Sequence, residues 1–275
     1  MWLALSLTAN ALFLVLLLVI RLIRRRRYKK NRQRRLSNWL FGRKFDPYNC
    51  HDNGEDWLLN RLAAFRPSTI FDIGANVGDW SELAHQAIPN AQIHSFEIIE
   101  GTYAELQERL SNRTGVQLNN FGLSDKSGTI TMRLFDSSNG LASHVAFPHG
   151  SYREAVCSVR RGDEYMRDNG IERVDFLKID VEGAEHLVLN GFGKAIDSGQ
   201  IDVIQFEYGK VNILTHFLLR DFYEFLEARG YSVGKLFPYH VDFRAYRFED
   251  EDFSGPNYVA VRKARSDIID VLRKR

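Results

Sequence analysis

Asp72, Gly74 and Gly78 stand in the run FDIGANVGDW, where a short apolar stretch ends in a carboxylate and two glycines four residues apart. A strand, a glycine turn and a helix can hold a dinucleotide, but that fingerprint is G-x-G-x-x-G, whose middle glycine lets a diphosphate approach the backbone. Counted from Gly74, Asn76 takes the second glycine position and Asp79 the third. An acid at the mouth of the helix would repel a diphosphate. The spacing D-x-G-x-x-x-G fits instead a loop for S-adenosylmethionine, which brings a sulfonium cation, an amino acid end and a ribose, and no phosphate. Asp72 would then serve the cofactor's ammonium group directly or through water, with Asn76 in the loop and Gly74 and Gly78 admitting close backbone. Glu97 closes the next apolar run, HSFE, 25 residues after Asp72. That is near the offset at which an acid takes ribose hydroxyls in α/β nucleotide sites. As structure alone, Asp72 would be a turn-forming or capping carboxylate and Glu97 an ordinary strand-end acid.

The elements that must position these residues follow from hydrophobic period. Apolar runs at Thr69 to Ile73, Gln92 to Phe96, Val116 to Leu123, Val174 to Ile179 and Ile201 to Phe206 are mostly separated by helical patterns. Such alternation builds a parallel sheet covered on both faces. Trp80, Leu83, Ala84, Ala87 and Ile88 form one helical stripe, stopped by Pro89; Leu218, Phe222 and Phe225 form another, ending at Gly230. Thr129 to Leu134 is expected as a strand joined to the preceding one by a hairpin turn, Asp125-Lys126-Ser127-Gly128. Phe135 to Tyr152, rich in Ser, Gly and Asn, is a candidate active-site loop, and His144 and His149 lie in it.

Further on stands VDFLKIDVEGAEHLVLNGF, Val174 to Phe192, with Asp180 at a strand end and Glu182-Gly183 opening a helix. Together with FDIGANVG, IDVIQFEYG (Ile201 to Gly209) and the near-terminal NYVAV, it resembles the FkbM family of S-adenosylmethionine-dependent methyltransferases, in order over roughly residues 68 to 262. Gly162-Asp163-Glu164 stands where that family has a Leu-Asp-Asp type stretch, so no role is carried over to Asp163. The resemblance implies an α/β, Rossmann-like seven-stranded methyltransferase sheet with ligands across the carboxyl ends of its strands. It also implies O-methylation of sugars or secondary metabolites, so an alcohol oxygen is the expected acceptor, and an anchor at a membrane where glycans are assembled would favour a sugar hydroxyl. Asp125 joins Asp72, Gly74, Asn76, Gly78 and Glu97 as a cofactor-binding candidate. Asp180, opposite the methyl group, and Glu207, ending IQFE, form a candidate carboxylate pair. They would bind a divalent cation, or one would act as base while the other orients the acceptor. The metal-free version is favoured, since no third oxygen ligand can be named. Lys178, a cation among apolar neighbours on a central strand, would pair with Asp180 or contact substrate. The bland alternative places Asp180 and Glu182 before a helix, where free N–H groups favour carboxylates, and makes Glu185 a first-turn acid.

The chain has 275 residues, 44% hydrophobic, enough for a substantial core. Its net charge of +2 conceals an asymmetry. Ten of the 37 Lys and Arg fall between Arg21 and Arg35, and the first 35 residues hold no acid, so the remainder carries 27 basic against 35 acidic residues, a net of −8. An acidic body argues against nucleic acid as a partner. Trp2 to Ile20 is uncharged and apolar, the length of a membrane-spanning helix. The expected organisation is therefore a transmembrane anchor at 1–20, a basic linker at 21–50 attracting anionic lipids, and a methyltransferase domain at 51–275. The basic flank orients that domain to the cytoplasm in a single-pass membrane protein. Cys50 and Cys157 are too few for a disulfide framework. Two rivals remain: a membrane-tethered scaffold with a degenerate cofactor site, and a nicotinamide-dependent oxidoreductase, against which the failed diphosphate loop speaks.

Overall fold

The computed structural model describes residues 49–135, 142–143, 145, 151–253 and 256–273. Strands β1 (Thr69–Ile73), β2 (Gln92–Phe96), β3 (Val116–Asn119), β4 (Gly122–Ser124), β5 (Gly128–Phe135), β6 (Ala142–Ser143), β7 (Tyr152–Arg161), β8 (Val174–Ile179), β9 (Ile201–Glu207), β10 (Tyr231–Phe237), β11 (His240–Phe243) and β12 (Asn257–Arg262) form two sheets. The larger has eight strands in the order β11-β10-β12-β9-β8-β1-β2-β3. Its half from β3 to β9 is parallel, and β12, β10 and β11 join antiparallel. The large mixed sheet agrees with the expected α/β class but has one strand more than the seven expected, because β11 folds back on β10 at a short turn.

Alternation along the central strands sends side chains to two cores. Phe71, Ile73, Phe96 and Phe206 enter one. Ile70, Ile93, Phe176 and Val203 enter the other, beneath helices α1 (Glu55–Leu62) and α2 (Asp79–Ala87). Helix α1 docks through Leu58, Leu59 and Leu62, at most 2% exposed. Each such side chain contributes about 1.5–3 kcal/mol on burial. The α2 stripe buries Trp80 and Ala84 as its period requires. The later helix, Leu219–Glu227, buries Leu219, Phe222, Tyr223 and Leu226; of the expected stripe Phe222 is buried and Phe225 packs partly buried against the same core, while Leu218 sits outside as the N-cap.

The run Val116 to Leu123 divides into β3 and β4, and the expected hairpin does not form. Strand β7 lies between β4 and β5, parallel to the first and antiparallel to the second, in a separate sheet ordered β4-β7-β5-β6. The ten-residue β7 offers β5 eight paired positions, far more than the three-residue β4 could.

The expected membrane helix and basic linker lie outside the described residues, as do His144 and His149. Among the described residues no helix is long and apolar enough to cross a membrane. The longest, α3 (Glu100–Leu110), has 11 residues and spans about 16 Å, against a hydrocarbon core of about 30 Å. This corrects the expectation of a single-pass membrane protein with a cytoplasmic domain.

Candidate active site

At the carboxyl end of β1 the chain turns through Gly74 (φ 84°), Asn76 (φ 50°) and Gly78 (φ 91°). A Cβ on Gly74 would lie 1.8 Å from the carbonyl oxygen of Asp180, so the turn closes only without a side chain there. A Cβ on Gly78 would meet Leu106 at 2.8 Å and Leu110 at 3.0 Å, both on α3. Gly78 thus serves packing against that helix. Asn76 donates its N–H to Glu97 Oε2 at 3.0 Å, and Ile99 N–H reaches Oε1 at 2.8 Å. Burial pushes the Glu97 carboxyl up, while the N–H groups of Ile99 and Asn76 pull it down. Two donors leave a carboxylate with accepting capacity to spare.

Glu97, Gly74, Asn76 and Asp125 line a cavity of about 480 Å³ whose other wall is apolar, from Phe96, Ile98, Leu123, Met132, Val159 and Leu187. Asp180 and Glu182 line it too, Asp180 beside Gly74. Glu182 holds a left-handed backbone, φ 52°. One carboxylate oxygen from each of Asp180, Glu182 and Glu207 lies within 4.8 Å of the others. Glu182 is therefore the third oxygen donor that the sequence did not reveal, and the three together have the hardness and spacing to hold a divalent cation. Burial, then Asp180 and Glu185, pushes Glu182 up to about 8. Glu207 is raised well above the usual carboxylate range by burial, then by Asp180, Glu182 and Glu185. Glu185 is fully buried; Oε1 accepts the N–H groups of Val181 and Gly183, each at 3.1 Å, and burial still pushes its pKa up to about 7.

Asp72 lines neither this cavity nor the polar one beside it. It is 0% exposed, accepting Ser81 Oγ–H at 2.6 Å and a Lys178 Nζ–H at 3.3 Å. Lys178 also donates to Asp180 Oδ2 at 3.2 Å. Burial works to lower the Lys178 pKa, but Asp180, Asp72 and Glu55 outweigh it and hold the group well above its usual range, as a fixed cation. The neighbouring cavity, about 560 Å³, is lined by Asn49, His51, Glu55, Asp79, Trp80 and Lys178, and shares Gly74, Asn76 and Asp180 with the first. Asp163 stands apart: its carboxylate accepts the N–H groups of Lys194 and Ala195 at 3.2 and 3.0 Å, capping the helix Gly193–Asp197. Sequence reasoning left Glu55, Ser81 and Gln205 unmentioned; the only signal toward them was a lysine inside an apolar strand.

A glycine turn facing a strand-end acid, with further acids at the ends of the next two strands of such a sheet, defines a site of the S-adenosylmethionine-dependent methyltransferase class. The chain belongs to the FkbM methyltransferase family: the family model described as "Methyltransferase FkbM domain" matches residues 72–233. Methyltransferase sdnD of Sordaria araneosa is 31% identical over 153 residues, 44% of this chain and 59% of its own length. Hexuronic acid methyltransferase AglP of Haloferax volcanii is 28% identical over 162 residues, 57% of this chain and 64% of its own. 2-O-methyltransferase NoeI of Sinorhizobium fredii is 28% identical over 139 residues, 44% and 56%. This chain thus spans about three-fifths of the length of the curated relatives it matches.

The residues present fit S-adenosylmethionine. The first cavity pairs an apolar wall, suited to a purine, with the Glu97 carboxylate, suited to ribose hydroxyls, and among the described residues Lys126 is the one basic residue lining it. Glu97, Asp125, Asp180 and Glu182 line it as acids, a set that suits a cationic ligand better than a diphosphate.

Proposed function

We propose that this chain transfers a methyl group from S-adenosylmethionine to a hydroxyl oxygen of a sugar or glycan-type acceptor, through a domain spanning residues 51–275. One observation carries the proposal: a single cavity is lined by Glu97, by Gly74 and Asn76 of the glycine turn, and by the Asp180 and Glu182 carboxylates. S-adenosylmethionine, when bound, supplies an electrophilic methyl carbon on a cationic sulfur. Glu97 accepts from the ribose hydroxyls, while Gly74, Asn76 and Asp125 border the nucleoside. Asp72 and Gly78 act one layer below, shaping the turn. Asp180, held by Lys178, accepts the proton of the acceptor hydroxyl as that oxygen takes the methyl carbon. Glu207 and Glu182 accept hydrogen bonds from neighbouring hydroxyls or donate them when protonated. Much of the acceleration comes from holding oxygen and methyl carbon in line. A sugar is favoured by the density of acceptor oxygens around Asp180 and by two relatives, one a hexuronic acid methyltransferase and one a 2-O-methyltransferase.

The test incubates the purified chain with S-adenosylmethionine and a panel of methyl hexosides, hexuronic acids, catechol and simple secondary alcohols, with products identified by mass spectrometry. A methyl ether on a sugar hydroxyl is expected. Methylation confined to catechol, or only a methyl ester on a hexuronic acid, would sink the acceptor assignment. In calorimetry, Glu97→Gln is expected to weaken S-adenosylmethionine roughly tenfold, by about 1.4 kcal/mol, and NADH to leave it undisplaced.

A further inference from the structure

Beneath the site lies a row of polar side chains that the strand register assembles. Ser95 on β2, Asp72 on β1, Lys178 on β8 and Gln205 on β9 are successive in-register partners across four neighbouring parallel strands. All four are buried, at 3% exposure or less, on the face that otherwise carries Ile70, Ile93, Phe176 and Val203. Buried polar groups persist where they are partnered. Ser81 of α2 bridges Ser95 and Asp72 at 2.7 and 2.6 Å. Glu55, the first residue of α1, closes the other end: it accepts Gln205 Nε2–H at 2.6 Å and Asn53 Nδ2–H at 2.8 Å.

The charges in this layer do not cancel. One ammonium, Lys178, stands among three acids: Asp72 at 3.3 Å, Asp180 at 3.2 Å, and Glu55, which lines the same polar cavity and whose carboxyl burial pushes up while Lys178 pulls it down. Lys178 lies over the Trp80 ring at 5.4 Å, so its positive charge is turned toward α1 and α2. Asp180 keeps 39% of its side chain exposed at the junction of the two cavities.

We propose that Glu55, which lies outside the matched family domain, is a positioning residue that neutralises Lys178 from behind, so that Asp180 presents uncompensated negative charge to a cationic cofactor. The proposal rests on the methyltransferase function proposed above. Its consequence is charge selectivity. S-adenosylmethionine carries a sulfonium, whereas S-adenosylhomocysteine, the product, has a neutral thioether. Excess negative charge at Asp180 holds the first and lets go of the second.

Calorimetry of the full chain with each of these two ligands tests this without any acceptor. Glu55→Gln, isosteric and able to keep the Gln205 contact, leaves the Lys178 charge less compensated. It is expected to lower the affinity ratio of S-adenosylmethionine to S-adenosylhomocysteine by roughly three- to tenfold. Lys178→Met removes the cation and is expected to move the ratio the other way. Opposite shifts separate an electrostatic role from a structural one, which would weaken both ligands alike. Equal weakening by Glu55→Gln, or an unchanged ratio, overturns the proposal and leaves the methyltransferase function standing. If Lys178→Met fails to fold, the Glu55→Gln ratio decides alone. If the unaltered chain binds neither ligand, both the function and this inference fall.

Discussion

Asp72 and Asp202 are both fully buried carboxylates in the same sheet, and they are satisfied in opposite ways. Asp202, at the amino end of β9, is met by Arg173, Arg262 and Arg265, three cations on one acid. Asp72, near the carboxyl end of β1, shares a single ammonium with Asp180, while Glu55, Glu182, Glu185 and Glu207 crowd the same end. The basic excess at one end ties chain segments together: Arg173 leads into β8, and Arg262 and Arg265 bring the C-terminal helix Ser266–Leu272 onto the sheet. The acidic excess at the other end leaves charge for a ligand to complete. A buried carboxylate therefore does not by itself mark a site. What marks it is the sign of the charge left over once its neighbours are counted.

The sharpest way to break this contrast is Asp180→Asn. It removes the exposed acid of the open end and is expected to lower methyl transfer by roughly 10²–10⁴-fold while leaving the urea midpoint nearly unchanged. A large loss of stability with transfer retained would place Asp180 with Asp202. The converse substitution, Asp202→Ala, strands three arginines and is expected to cost about 3 kcal/mol in urea unfolding, with S-adenosylmethionine affinity within twofold of the parent. A selective loss of cofactor binding there would erase the distinction between the two ends.

The smallest effect concerns pH. Burial raises Glu185 in the folded state to about 7 from an ordinary value of 4.5. The stability linked to its protonated form is complete below about pH 4.5 and is lost as pH rises through 7, on the order of 3 kcal/mol. Glu182 and Glu207 are shifted in the same direction and add to that slope. Glu185→Gln stays neutral and keeps an acceptor for the Val181 and Gly183 N–H groups. Its stability is expected to fall less than the parent's between pH 5 and 8 in thermal melts; identical slopes would show that Glu185 does not titrate there.

Much of the parallel half of the sheet was legible in the chain, because buried strands read as apolar runs and helices as stripes. Thr69–Ile73, Gln92–Phe96 and Val174–Ile179 fall where their residues predicted. The hairpin after Asp125 was misread because a turn sequence does not say which strand will pair beside it, and β7, from beyond the loop, took that place. Glu182 was set aside as a helix-leading acid. Its left-handed backbone, which turns it toward Asp180 and Glu207, is a property of the folded turn.

By itself the sequence determined the strand-turn-helix with its spaced glycines, the acid closing β2, the acids ending β8 and β9, and the acidic balance of the chain beyond its basic segment. These are local, since spacing and residue type settle what a loop can hold. Only the tertiary structure decided that Ser95, Asp72, Lys178 and Gln205 lie at one level, that Glu55 of α1 closes their row, and that Asp202 is answered by three arginines. Register between strands and the docking of helices join residues a hundred positions apart, and no local pattern encodes which charge will lie beside which.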